Sequence, residues 1–154
     1  MTTGVRELRL WQEAVALGGD VARLMRQSCR RETRALTDQI TSTALSVATS
    51  VADGYGRAAA GEQRDCYRRA RRLLGELETQ LAVARHAELV TPASIGPLMV
   101  RVGAVARLLA GYLSFIERQI AAEAAADGAR PATDGDAARE PRPLLDAPAG
   151  IAGG

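Results

Sequence analysis

The sequence predicts an all-α fold: an antiparallel up-down-up-down four-helix bundle with a disordered C-terminal tail. Two observations carry this. The chain is 47% hydrophobic but only 3% aromatic, and its apolar content is mostly Ala, Leu and Val. That mixture suits close-packed helices better than a β-sandwich, where β-branched and aromatic residues dominate. Apolar residues also recur at three- and four-residue steps in four stretches joined by short polar links, and no stretch alternates with the period of a strand. Residues 1–126 are assigned to the bundle and 127–154 to the tail. A core built largely of Ala and Leu is thin, so oligomerisation is an expected source of added stability. The alternative architecture is a pair of α-hairpins that completes its core only in an oligomer.

A first helix is expected over 7–28, with Leu8, Trp11, Val15, Val21, Leu24 and Met25 as its apolar stripe. Gly18 and Gly19 lie in its middle, each costing roughly 1 kcal/mol relative to Ala. Close helix approach would explain them, and a kink is the alternative. Trp11 reads as a core anchor, with a base-stacking platform as the remote alternative. Residues 29–34 form a charged connection. A second helix follows over 35–53, with Leu36, Ile40, Val47 and Val51 at helical steps. Its remainder is hydroxylic (Thr37, Thr41, Ser42, Thr43, Ser46, Thr49 and Ser50), and such residues form helices poorly, so packing must hold it. Gly54-Tyr55-Gly56 reads as a glycine C-cap with a tight turn. The pair follows a helix rather than a strand, which excludes a dinucleotide fingerprint.

A third helix is expected from residue 57 to about 87–88. At about 100° per residue, Cys66, Ala70, Leu73, Leu77, Leu81 and Ala84 share one side, widened by Tyr67 and Leu74. Arg64, Arg68, Arg71 and Arg72 fall on the other side. Like charges on one helical row repel, so this face needs a reason. Thr91-Pro92 signals the start of a fourth helix, with Thr as N-cap and Pro at the first helical position. Gly96-Pro97 is a point of restart or kink. From Leu98 the stripe runs Val102, Val105, Leu109, Tyr112, Ile116 and Ile120, and the helix is expected to fade over 121–126. The tail is rich in Pro, Ala, Gly and Asp, and cannot bury enough surface to offset its ordering entropy.

Charge and cysteine usage narrow the function classes. The formal charge is +2, too small to imply a nucleic-acid partner by itself. All 20 basic residues are Arg, which suits bidentate phosphate contacts, although a high-GC genome produces the same bias. Five carboxylates (Asp127, Asp134, Asp136, Glu140 and Asp146) gather in the tail, leaving the body more basic. Cys29 and Cys66 form no Cys-x-x-Cys, and His86 is the single histidine, so a zinc site lacks ligands and a Ser-His-Asp or Cys-His site would have to use His86. Both cysteines read as small apolar residues in a reducing compartment. Asp53, Glu76 and Glu78 are the candidate catalytic carboxylates, but Glu76 and Glu78 are two apart and share no face, and no Glu-x-x-His pair is present for a di-iron bundle. No enzymatic activity, metal or cofactor is expected. With no signal peptide and no membrane-length apolar run read from the sequence, a cytoplasmic location without membrane association is expected.

Several segments resemble a known family. Residues 7–12, Glu-Leu-Arg-Leu-Trp-Gln, resemble the opening DL-x-VWQ of the small four helix bundle protein family. Leu36-Thr37-Asp38-Gln39-Ile40 resembles its LTSQI. Residues 46–57, ending Val-Ala-Asp-Gly-Tyr-Gly-Arg, resemble its SI-x-x-NIAEG-x-GR, and residues 74–81 its GSLAELETQL. The likeness spans residues 7 to about 118 in order and with the right spacing. That family includes proteins encoded by intervening sequences in 23S rRNA genes and the accessory variability determinant of diversity-generating retroelements. The resemblance implies a homopentamer of four-helix bundles without enzymatic activity. For the retroelement branch it implies a basic surface that binds a reverse transcriptase and its template RNA. The chain departs from the pattern at Thr41 and Ser42, where the family usually has two arginines, at Ser50, where it has Asn, and at Asp53, where it has Glu.

Two functional expectations follow. In the first, the protein is an oligomeric RNA-binding accessory whose Arg57, Arg64, Arg68, Arg71 and Arg72 contact phosphates. In the second, it is a protein-interaction scaffold with no nucleic-acid role. There the hydroxylic second helix, with Ala44, Ala48 and Ala52, forms subunit contacts, and the arginine face docks an acidic partner.

Overall fold

The computed structural model describes residues 4–130. Four helices, α1 (Arg9–Ser28), α2 (Arg34–Tyr55), α3 (Ala60–His86) and α4 (Pro92–Gly128), account for nearly all of them, with single 3-10 turns at Val5–Glu7 and Arg31–Thr33. No strand occurs among the described residues. Consecutive helices pack along one another, and α1 also packs on α4, so the four close into a ring around one core. The short links are consistent with an up-down-up-down course. The acidic tail assigned from sequence lies, from residue 131 on, outside the described residues.

Heptad-spaced leucines set the buried face of α1. Leu10, Leu17 and Leu24 are buried together with Ala14, Val21 and Met25. The expected stripe was centred too far round: Val15 is 42% exposed, and Leu8 and Trp11 pack half-buried at the edge of the core. Trp11 is thus an anchor. Gly18 is buried against α2, yet a Cβ there would meet the Ala44 carbonyl oxygen at an ordinary 3.8 Å, and one at Gly19 would meet nothing within 4 Å. Neither glycine is needed for close approach, and the helix runs through both unbroken.

The hydroxyls of α2 are satisfied within the helix. Thr37 donates to the carbonyl of Arg34, and Thr41, Thr43, Ser46 and Thr49 each donate to the carbonyl four residues back, at 2.8–3.1 Å. This lets Thr37 and Thr43 enter a core otherwise filled by Ile40, Ala44, Val47 and Val51, and Ser50 is buried beside them with its hydroxyl oxygen accepting from Arg69 of α3. Ala44 is fully buried in its own bundle and is not available for subunit contact.

The helix also continues two residues beyond the expected stop. Gly54 is helical, and Gly56, the C-cap, has an ordinary right-handed backbone (φ −76°). Gly54 is small for a different reason. A Cβ there would lie 2.7 and 2.9 Å from Cε1 and Cδ1 of the Tyr67 ring. Tyr67 is 3% exposed and meets Tyr112 of α4 with ring centroids 6.1 Å apart. One aromatic residue on α3 therefore ties α2, α3 and α4 together, and it fits because α2 has no side chain at position 54. Burial first, then the nearby Tyr112, Cys66 and Tyr55, push the Tyr67 phenol up to about 12.

In α3, Tyr67, Ala70, Leu74, Leu77, Leu81 and Ala84 are buried, while Cys66 and Leu73 are half-buried flanks. The face is thus rotated toward Tyr67 and Leu74, the residues expected only to widen it. The helix begins at Ala60 rather than at Arg57, after an extended N-cap at Ala59. The link to α4 reverses through Glu88, whose φ of +57° is left-handed. The Leu89 amide donates to the Ala84 carbonyl at 2.9 Å, closing the end of α3.

Thr91 and Ser94 form a capping box at the start of α4. The helix neither restarts nor breaks at Pro97, and it does not fade in the alanine run, because alanine is the best helix former. At 37 residues it spans about 55 Å, against about 30 Å for the 20-residue α1. Its buried line is Ile95, Leu98, Val102, Val105, Leu109, Leu113 and Ile116, with Tyr112 and Ile120 half-buried. Contrary to the sequence reading, α4 is long and apolar enough to cross a membrane by length and composition, with a window of mean hydropathy 1.5, because Ala and Gly separate its large apolar residues. Only 28% of that window is buried, and Val100 and Phe115 are 72% and 53% exposed.

Candidate nucleic-acid interface

The arginine row stands on the half of α3 turned away from the core, and the structure divides it. Arg71 and Arg72 are exposed and have no carboxylate within ion-pair distance among the described residues. Arg57 is likewise exposed, in the link between α2 and α3, where its amide donates to the Gly54 carbonyl at 3.3 Å. The other two are engaged. Arg64 Nε is 3.1 Å from Asp65 Oδ1, and Arg68 Nη2 is 2.8 Å from Glu117 Oε1 on α4. The periodicity therefore identifies the row correctly, but only Arg57, Arg71 and Arg72 leave their charge uncompensated. The Arg68–Glu117 pair is about half exposed on both sides, so its contribution to stability is small, roughly 0–1 kcal/mol, and a competing phosphate can replace the carboxylate.

The sequence reading left Arg69 unassigned. Its guanidinium bridges from α3 to α2, donating to Asp53 Oδ2 at 2.8 Å and to Ser50 Oγ at 3.1 Å. Ser50, Asp53 and Gly54 thus form the α2 surface on which Arg69 and Tyr67 sit. Two of the positions that depart from the resembled motif are the two partners of Arg69. A serine hydroxyl and a short aspartate at these positions still serve a long guanidinium. Asp53 is held in this pair, Glu76 accepts from Gln80 Nε2 at 3.1 Å, and Glu78 is exposed. The three carboxylates weighed as catalytic are therefore dispersed. A second bridge joins α4 to α1, where Arg101 reaches both Glu13 and Asp20 at 2.9 Å.

His86 ends α3 and is exposed, on the lining of an open depression of about 540 Å³ shared with Ala82, Arg85, Glu88, Ile95 and Met99. No group of three or more His, Cys, Asp or Glu that could hold a metal ion occurs among the described residues. Cys29 is exposed, Cys66 is half-buried, and both are free thiols. Thr41 lines a notch between α1 and α2 with Arg26, Cys29 and Arg34, and Ser42 is exposed.

The sequence profile of the 23S rRNA-intervening sequence protein family matches residues 6–111. The chain belongs to that family. The match spans α1, α2, α3 and the first half of α4, so it includes the whole arginine row, the Arg69 bridge and the Tyr67–Gly54 contact, while Tyr112 falls just beyond it. Glu117, which neutralises Arg68, falls beyond the matched region. A search of curated proteins returned no match.

Proposed function

We propose that this 23S rRNA-intervening sequence family protein is a non-enzymatic, self-associating RNA-binding accessory, of the kind that serves a reverse transcriptase in a diversity-generating retroelement. One observation carries the reading. Arg71 and Arg72 hold uncompensated guanidiniums on the exposed side of a helix whose other side is packed, and Arg57 holds another in the link just before it. Such a row gains free energy from phosphate by releasing condensed counterions. Arg68 adds to it once phosphate displaces Glu117. Self-association multiplies a modest patch, because linked copies engage one RNA at high effective concentration. The resemblance implies a pentamer, and the exposed Val100 and Phe115 on the outer side of α4 supply apolar surface for subunit contact.

The second reading, a protein-interaction scaffold of the same fold, draws on that same apolar surface together with Leu45 on α2, which is 56% exposed. Filter binding to structured RNA across a salt series separates the two. The RNA reading expects Arg71→Glu with Arg72→Glu to weaken binding at least tenfold at low salt. Equal binding by wild type and this variant would remove the α3 row from the RNA contact, and no salt-dependent binding by wild type would leave the scaffold reading in its place.

A further inference from the structure

The connection between α1 and α2 carries a second basic surface at the opposite end of the bundle. Arg23, Arg26, Arg30, Arg31 and Arg34 lie within twelve residues, against the carboxylates Asp20, Glu32 and Asp38. Asp20 is already shared by Arg23, at 3.2 Å, and Arg101, at 2.9 Å. Asp38 reaches Arg34 only at 3.9 Å, and both side chains are about three-quarters exposed, a pair of little worth in water. Arg26, Arg30 and Arg31 are exposed and have no carboxylate within ion-pair distance among the described residues.

The fold places two helix N-termini beside this charge, and the C-termini of α1 and α3 at the same end offset their partial charges, so the arginines carry the field. The end of α1 and the start of α4 line one groove, with Arg23, Leu24 and Gln27 facing Ala93, Ser94 and Pro97, so the N-termini of α2 and α4 lie at the same end. Neither of their first turns holds a carboxylate to offset the partial positive charge of the helix end. Arg31 and Arg34 thus stand at the end of α2 where a cation is least favourable. Arg26 and Arg34 also line a notch of about 240 Å³ between α1 and α2, floored by Met25 and Thr37. None of the exposed large apolar residues, Val15, Leu45, Val83, Val100 and Phe115, falls between positions 23 and 34. A protein partner would be expected to bury an apolar centre, whereas a sugar-phosphate chain needs only the guanidiniums.

We propose that this end of the bundle is a second RNA-phosphate contact surface, so that one protomer bridges two stretches of RNA backbone. It rests on the reading of the protein as an RNA binder. The 22-residue α2 separates the α1–α2 link from Arg57 by about 33 Å. Contacts so far apart contribute independently to affinity and to its salt dependence.

Fluorescence anisotropy of a labelled hairpin RNA with the full chain tests this. The triple variant Arg26→Gln, Arg30→Gln, Arg31→Gln is expected to bind at least tenfold more weakly at low salt. The slope of log affinity against log salt should become shallower by about 2 to 3. The matching triple Arg→Lys variant keeps the charge and should recover most of the slope, which guards against a loss caused by misfolding. Arg71→Gln with Arg72→Gln should remove about 2 further units independently. If the link variant binds with unchanged affinity and slope while the α3 variant is impaired, this inference falls and the RNA-binding function stands. If wild type does not bind the hairpin, both fall.

Discussion

The substitution Gly→Ala should have opposite signs at two helical glycines of this protein. Gly19 lies mid-helix with nothing within 4 Å of an added Cβ, so Gly19→Ala gains the full difference in helix propensity, about 1 kcal/mol of stability. Gly54 is also helical, but its Cβ would sit 2.7 Å from Cε1 and 2.9 Å from Cδ1 of Tyr67. The contact is with a rigid ring wedged against Tyr112, so the ring or α2 must shift. Overpacking of this kind costs about 1–3 kcal/mol, which outweighs or offsets the propensity gain. Gly54→Ala is therefore expected to be net destabilising, by up to about 2 kcal/mol. Urea unfolding followed by circular dichroism reads both as shifts of the midpoint at constant slope. A double-mutant cycle with Tyr67→Leu should return a coupling of about 1 kcal/mol, since removing the ring removes the clash. Stabilisation by Gly54→Ala equal to that by Gly19→Ala would refute the packing argument.

Glu88 holds a left-handed backbone without being glycine, so Glu88→Gly should raise stability by about 0.5–1 kcal/mol, measured by the same urea midpoint. The buried Tyr67 phenol titrates near 12 rather than 10, so the folded state holds its proton more tightly. Stability from this group is complete below pH 10 and is lost as pH rises from 10 to 12, by at most about 2–3 kcal/mol. Tyr67→Phe should lack that alkaline loss in urea melts at pH 8 and pH 11, and an identical loss in both proteins would assign it elsewhere. Glu117→Gln frees the Arg68 guanidinium at a stability cost of about 0–1 kcal/mol and should make the salt dependence of RNA binding steeper by about one unit. Unchanged binding would show that Glu117 does not compete with phosphate for Arg68.

Local signals read well from the sequence. Thr91-Pro92 marked the start of α4 because a capping box needs only residues within one turn. The four helices followed from periodicity, and so did the arginine row. What was not legible depends on residues distant in sequence. Arg68 loses its free charge to Glu117, 49 positions away, and Arg69 is tied to Ser50 and Asp53 on another helix. No spacing rule within α3 reports either contact. Gly54 looked like a cap because a glycine near a helix end usually is one, and its actual role depends on a ring thirteen residues on. The centres of the buried faces of α1 and α3 were misplaced for a similar reason. Neighbouring helices, rather than the count of apolar residues on a wheel, decide which side turns inward. The α1–α2 link was read only as charged, since the state of its arginines rests on what Asp20 and Asp38 already hold.

The account stands or falls on whether this basic bundle recognises polyanions through its outward guanidiniums. The salt dependence of wild-type binding to a structured RNA tests that most directly. Contacts from Arg57, Arg71 and Arg72, with Arg68 released by phosphate, predict a linear fall of log affinity against log salt with a slope of about −3 or steeper. A flat response, or no binding at the lowest salt, would contradict it.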